Sequence, residues 1–257
     1  MKWNIPIHNT NESFEEDFSG SPVGNIVAAD IRKADVMKKY GIDFCCGGGE
    51  ILSAACKTAG VSAETVNREL NQLQRPEVLA SQNPWYWAPD FLCDYIVNTH
   101  HNYIRNNSRY ILEYGSKVMR THGTNHPELL ELGEYVSALL SELHQHMTKE
   151  ENILFPRIKQ MFEAYRQPNE GLNAAISGMN INMPVEVMEL EHKEAGDLLH
   201  RIRECTDDYI PPADVCLTYK VYYAKLQEFE EDLTMHIHLE NNILFPKALD
   251  MQAKFLV

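Results

Sequence analysis

The sequence predicts an all-α protein: a four-helix bundle preceded by a small helical domain. Three observations predict it. Apolar residues recur at helical spacing over four long segments, roughly 88–121, 127–165, 184–206 and 213–250. The alternation that marks strands is absent. A motif-bearing segment occurs twice, as His146-Met147-Thr148-Lys149-Glu150-Glu151-Asn152-Ile153-Leu154-Phe155-Pro156 and as His236-Ile237-His238-Leu239-Glu240-Asn241-Asn242-Ile243-Leu244-Phe245-Pro246. Each copy ends a helix that follows another, so the bundle reads as two related helical pairs.

The elements follow in order. Residues 1–23 read as a flexible, acidic, polar lead-in. Residues 24–80 read as the small helical domain. Ile26, Val27, Ile31, Ala34, Val36 and Met37 recur near helical spacing, and the segment closes at Tyr40-Gly41. Three consecutive glycines in Cys45-Cys46-Gly47-Gly48-Gly49 break structure and permit close backbone approach. A short helix over about 51–59 ends at Gly60, and Ser62 caps a further one over about 63–73. Arg75-Pro76 through Asn83-Pro84 reads as a linker. Residues 81–257 make the bundle, with breaks at His122-Gly123-Thr124-Asn125, at the Gly/Asn-rich stretch 168–183, and at Pro211-Pro212.

Composition excludes several functions. The net charge of −14 repels phosphate backbones, which argues against nucleic acid as a partner. The N-terminus lacks the apolar core of an export signal, and no apolar run approaches the ~20 residues of a membrane span. A cytoplasmic protein is expected. The six cysteines are scattered apart from Cys45-Cys46, so they form no disulfide framework. Cys56, Cys93, Cys205 and Cys216 read as core residues.

The repeated motif carries the chemistry. Residues i and i+4 share a helix face, so His146/Glu150 and His236/Glu240 each aim an imidazole and a carboxylate at one place. Leu143, Met147 and Ile153 flank the first pair, and Leu233, Ile237 and Ile243 the second. Such polar groups among apolar neighbours are costly to bury without a partner, and a metal supplies one. His144 and His238 lie about 200° from their motif histidines and are expected to face solvent. In the first bundle helix His100 shares a face with Ile96 and Ile104, so it is chosen over its neighbour His101. In the third, His192 shares a face with Met188, Ala195 and Leu199. Four His and two Glu exceed a tetrahedral zinc site, and the mixture suits iron or manganese.

The order His…His-x-x-x-Glu…His…His-x-x-x-Glu resembles the hemerythrin-like superfamily. Together with Tyr40-Gly41-Ile42-Asp43-Phe44-Cys45-Cys46-Gly47-Gly48 and Glu191-His192-Lys193-Glu194-Ala195-Gly196, it is similar to the iron–sulfur cluster repair di-iron family. The resemblance covers nearly all of residues 24–250. It implies a hemerythrin-like bundle holding two iron ions with five His and two bridging Glu: His100, His146, Glu150, His192, His236, Glu240 and, as the fifth histidine, His122. Ordinary hemerythrins place a further His where this chain has Gly196. For His100 and His122 to reach one site the chain must break between them, and Asn106-Asn107-Ser108 is the candidate break. Glu142 and Glu191 are candidates to orient ligands. The resemblance further implies repair of iron–sulfur clusters damaged by nitric oxide or oxidants. Damaged iron–sulfur proteins are then the partners, and nitric oxide or oxygen the small ligands. Cys45 and Cys46 are candidate thiols for iron transfer. Nitric oxide reduction and oxygen binding are the competing activities, and a homodimer is among the oligomeric states left open.

Overall fold

Four long rods make the bundle in the computed structural model of the protein, which describes residues 16–73, 82–176 and 178–255, the side chains of 173–175 excepted. The expected lead-in over 1–23 and the linker over 75–84 fall in part on residues 1–15 and 74–81, outside the described set.

The first rod joins α5 (Pro89–Ile96), a π turn (Val97–His101) and α6 (Asn102–His122). The second joins α7 (Glu128–Lys149), a π turn (Glu150–Leu154) and α8 (Phe155–Arg166). The third is α10 (Asn182–Cys205), and the fourth joins α11 (Leu217–Leu239), a π turn (Glu240–Leu244) and α12 (Phe245–Phe255). A short α9 (Glu170–Ile176) occupies part of the stretch expected to be a break. Among the described residues there is no strand, only an isolated bridge between Pro22 and Ile51. No helix there is long and apolar enough to cross a membrane.

Proline accounts for two of the π turns. Pro156 and Pro246 stand inside continuous rods, where a proline lacks its N–H and its ring crowds the carbonyl four residues back. The wider turn just before each relieves that crowding. Pro89, by contrast, opens α5, where its missing N–H is unused in any case.

The small domain holds α1 (Val23–Ala29), α2 (Lys33–Lys39), α3 (Leu52–Thr58) and α4 (Ala63–Gln72). The single segment expected over 26–40 is split because Asp30 leaves the helix in an extended conformation. Its carboxylate instead takes the Arg32 amide and guanidinium at 3.2 and 2.6 Å. Ser62 caps α4 as expected, accepting the Thr65 amide.

The apolar interior comes in three parts. One fills the small domain around Val23, Met37 and Leu52. The bundle has two, a lower core around Ile104, Met147, Ala195 and Ile237 and an upper core around Ile96, Leu154, Met188 and Leu239. Between them, on all four rods, sits a layer of buried polar side chains.

Candidate metal centre

That polar layer is where the three π turns fall. The first ends on His101, and the second and third begin with Glu150 and Glu240. His146 and His236 stand one helical turn before the carboxylates, and His192 projects from the middle of α10. All six of these side chains are buried, Glu150, Glu240, His101 and His236 completely.

The six form two four-donor sets that share both carboxylates. One set is His101, Glu150, His236 and Glu240, and the other His146, Glu150, His192 and Glu240. The donor atoms of each set lie within 4.8 Å of one another. The Nε2 atoms of His101 and His236 are 3.2 Å apart, and those of His146 and His192 3.0 Å. Glu150 Oε2 stands 3.3 Å from both His101 Nε2 and His146 Nε2. Glu240 places Oε1 3.1 Å from His236 and Oε2 3.1 Å from His192. Each carboxylate therefore reaches one histidine of each set.

This donor arrangement fits cations. Both Glu150 oxygens and Glu240 Oε2 are buried with no hydrogen-bond donor aligned on them, and an uncompensated buried carboxylate costs several kcal/mol. Four imidazole nitrogens and two carboxylates facing one interior layer are the donor types that bind first-row transition ions.

A second ring of residues orients the histidines. His101 Nδ1 donates to Glu151 at 2.7 Å, and Arg105 holds that carboxylate from outside at 2.7 Å. His146 Nδ1 donates to Glu191 at 2.9 Å, and Lys149 pairs with the same carboxylate. His192 Nδ1 donates to Asn241 Oδ1 at 2.8 Å. With Nδ1 protonated and held outward, each ring turns its Nε2 lone pair inward.

The electrostatics follow from this packing. Burial pushes the His146 imidazolium down, but Glu150, Glu191 and Glu240 outweigh it and hold the proton up to about 10. Burial raises Glu240, yet His236 and His192 keep it well below the usual carboxylate range. Glu150 is lowered too, His146 and His101 overcoming burial and the repulsion of Glu240. Glu191 sits at about 2, lowered first by its hydrogen bond from His146 and then by Lys149.

The structure brings His146, Glu150, His192, His236 and Glu240 together, and with them His101 in place of His100. The π turn is the reason. It adds one residue to the turn between Ile96 and Ile104, which carries His101 onto the face a regular helix would give to His100. His100 is buried beside the centre. Its Nδ1 donates to Asp232 at 3.0 Å, and its ring stacks on His236 at 5.8 Å.

His122 is not brought in. The chain from His101 to His122 is unbroken helix, which separates them by about 32 Å. Asn107 and Ser108 bond the carbonyls one turn back, at 2.9 and 2.5 Å, without ending it. Glu142 is exposed, whereas Glu191 bonds His146 as described. His144 faces out. His238 does not; it is fully buried against the small domain, edge-on to Phe44 at 5.4 Å.

Cys45 and Cys46 are free thiols, half-buried, with sulfurs 3.7 Å apart. Their loop lies on the centre's flank. Cys46 donates to the His192 carbonyl at 3.2 Å, and its sulfur rests over the bare Cα of Gly196. Asn241 Nδ2 reaches the Cys45 carbonyl at 3.4 Å, so one side chain links a site histidine to the cysteine loop. The Cys45 thiol is pushed well above its ordinary range by Cys46, by burial and by Asp43. Glu151 and Asn241 were missed in the sequence although the repeat signals both: each follows its motif glutamate and binds a histidine on another rod.

Bundle and site together define a helical cation-binding protein of the hemerythrin type. The family model described as the hemerythrin HHE cation binding domain matches residues 94–248, and ScdA_N, a domain of unknown function (DUF542), matches residues 19–74. The chain is 35% identical over 233 residues to the iron-sulfur cluster repair protein YtfE of Enterobacter sp. (strain 638), covering 90% of this chain and 98% of that protein. It is 34% identical over the same shares to the proteins of that name from Citrobacter koseri and Escherichia coli O8. The chain belongs to the YtfE family of iron-sulfur cluster repair proteins.

Proposed function

We propose that this protein holds two iron ions between its two four-donor sets and uses them to repair iron–sulfur clusters damaged by nitric oxide or oxidative stress, by supplying iron. The observation that carries the reading is the sharing of Glu150 and Glu240 between two pairs of histidines. It is supported by the repair activity named in relatives that match nearly their whole length.

In this reading His101 and His236 would hold one ion and His146 and His192 the other, with Glu150 and Glu240 available to both. Bound iron supplies Lewis acidity and one-electron chemistry. The chain's own residues do the rest. Glu151, Glu191 and Asn241 hold three imidazoles in the binding tautomer, and the apolar cores above and below exclude water. Without the cations, protons on His146 offset the paired carboxylates, so iron and protons compete for one site. Cys45 and Cys46 are soft acceptors next to His192, placed to take part in iron transfer.

The test is metal analysis with Mössbauer spectroscopy, followed by a repair assay. Wild type should carry two irons per chain with the magnetic coupling of a bridged pair, and Glu150→Ala should lose the coupling. Iron-loaded wild type should reactivate a nitric-oxide-damaged [4Fe–4S] enzyme, whereas metal-free protein should not. Zinc, a single isolated ion, or equal repair by metal-free protein would reject the reading.

A further inference from the structure

Cys216 was expected in the core, but it is exposed, at the end of the bundle away from the metal centre. It is the residue just before α11. Its sulfur lies 3.1 Å from Nε2 of His122, the last residue of α6, and the Cys216 carbonyl accepts the backbone amides of Tyr219 and Lys220 in the first turn of the helix.

The imidazole is held in place. Tyr219 meets the His122 ring edge-on at 5.4 Å, and the His126 ring stands 6.2 Å away. His126 is itself fixed, Nδ1 to Glu128 at 3.0 Å and Nε2 3.6 Å from Asp214. The titratable groups around the thiol are thus His122 from α6, His126 and Glu128 from the start of α7, and Asp214 and Tyr219 from its own segment.

A thiol and a base within hydrogen-bond reach, the base braced by a third group, is the arrangement of an activated nucleophile. The place of Cys216 at the start of α11 adds to it, since a helix N-terminus favours the thiolate. The His122 hydrogen bond lowers Cys216 to about 7. Other thiols move the other way: burial raises the buried Cys56 and Cys93 and the half-buried Cys205.

We propose that Cys216 and His122 form a thiol-exchange site, distinct from the metal centre, that accepts low-molecular-weight disulfides such as oxidised glutathione. His122 takes the thiol proton. The Cys216 thiolate attacks one sulfur of the disulfide, a protein–ligand S–S bond forms, and the ligand S–S bond breaks. The departing thiolate carries away the electron pair and takes the proton back from His122. Cys216 is oxidised, the released thiol is the reduced product, and a second small thiol reverses the step.

The experiment uses the iron-loaded full chain, as wild type, Cys216→Ser and His122→Asn. Each is treated with oxidised glutathione and mapped by peptide mass spectrometry. Reaction with a dipyridyl disulfide is followed against pH. Wild type should carry its first adduct on Cys216, and Cys216→Ser should lose that adduct. The wild-type rate profile should turn near 7, and His122→Asn should move it toward the ordinary thiol value of ~8.5. At neutral pH the variant's smaller thiolate fraction outweighs its greater intrinsic nucleophilicity, so the rate should fall about threefold. Both variants should keep the wild-type iron content, because the dyad lies about 32 Å along the rod from His101. First modification at Cys45, Cys46 or Cys205, an unshifted profile in His122→Asn, or loss of iron from that variant would overturn the proposal.

Discussion

Glu150 and Glu240 make the greatest demand on the fold, since both are fully buried and both lie within 3.3 Å of imidazole nitrogens on two different rods. Their placement makes the choice between adjacent histidines testable. His101 faces the carboxylates, whereas His100 faces Asp232. Replacing His101 by Ala should remove one of the two ions, and replacing His100 by Ala should leave both. Glu151 acts only through His101, so Glu151→Ala should retain the site and weaken metal affinity about 10–100-fold. Metal titration followed by elemental analysis decides among these. Equal loss from the His100 and His101 variants would show that the ring Nε2 positions do not define the centre.

At the level of elements, the three π turns set what the rods can present. A regular helix advances about 100° per residue, so one extra residue in a turn rotates everything beyond it by that amount. Deleting exposed Asn98 should convert the first π turn to a regular one. Either Leu92, Cys93 and Ile96 then leave the upper core or His101 leaves the carboxylates. A fall in melting temperature or in bound metal is therefore expected, and a variant that keeps both would refute the register argument. The same turns explain what could be read in advance. The four rods were legible because their apolar stripes are long, and His146, His192 and His236 were legible because regular helix precedes each of them. His101 was not, because nothing in Val97-Asn98-Thr99-His100 marks a π turn as Pro156 and Pro246 mark the others. Asp30 was missed for a similar reason: its side chain competes locally for backbone hydrogen bonds, which apolar periodicity does not register.

For the whole molecule the question is what holds the cysteine loop against the bundle, and Asn241, His238 and Cys46 are joined in this by Asn242. Its Nδ2 donates to the Phe44 carbonyl at 3.1 Å and lies 3.0 Å from His238 Nδ1. Its Oδ1 enters a slot between Gly24 and Gly48, where an added Cβ would stand 2.1 and 2.4 Å from it. The Gly24 amide donates to the Gly48 carbonyl at 2.8 Å, which keeps the slot narrow. Both glycines face the Asn242 side chain of the other domain, and at Gly48 the Phe44 carbonyl, 2.8 Å from an added Cβ, excludes a side chain as well. Gly24→Ala should strain this junction by about 1–3 kcal/mol, the usual cost of overpacking. Cys46, which lies beneath it against Gly196, should then react with a thiol reagent about 5–150-fold faster. In the Asn242→Ala background the collision with the amide is gone and only the Gly48 carbonyl stands near the added Cβ, at 3.0 Å, so the same glycine substitution should cost less. The two effects should fail to sum by about 1–3 kcal/mol, as for any pair in direct contact. Equal acceleration by Gly24→Ala in both backgrounds would mean that the slot does not hold Asn242 and that the domains are joined by other contacts.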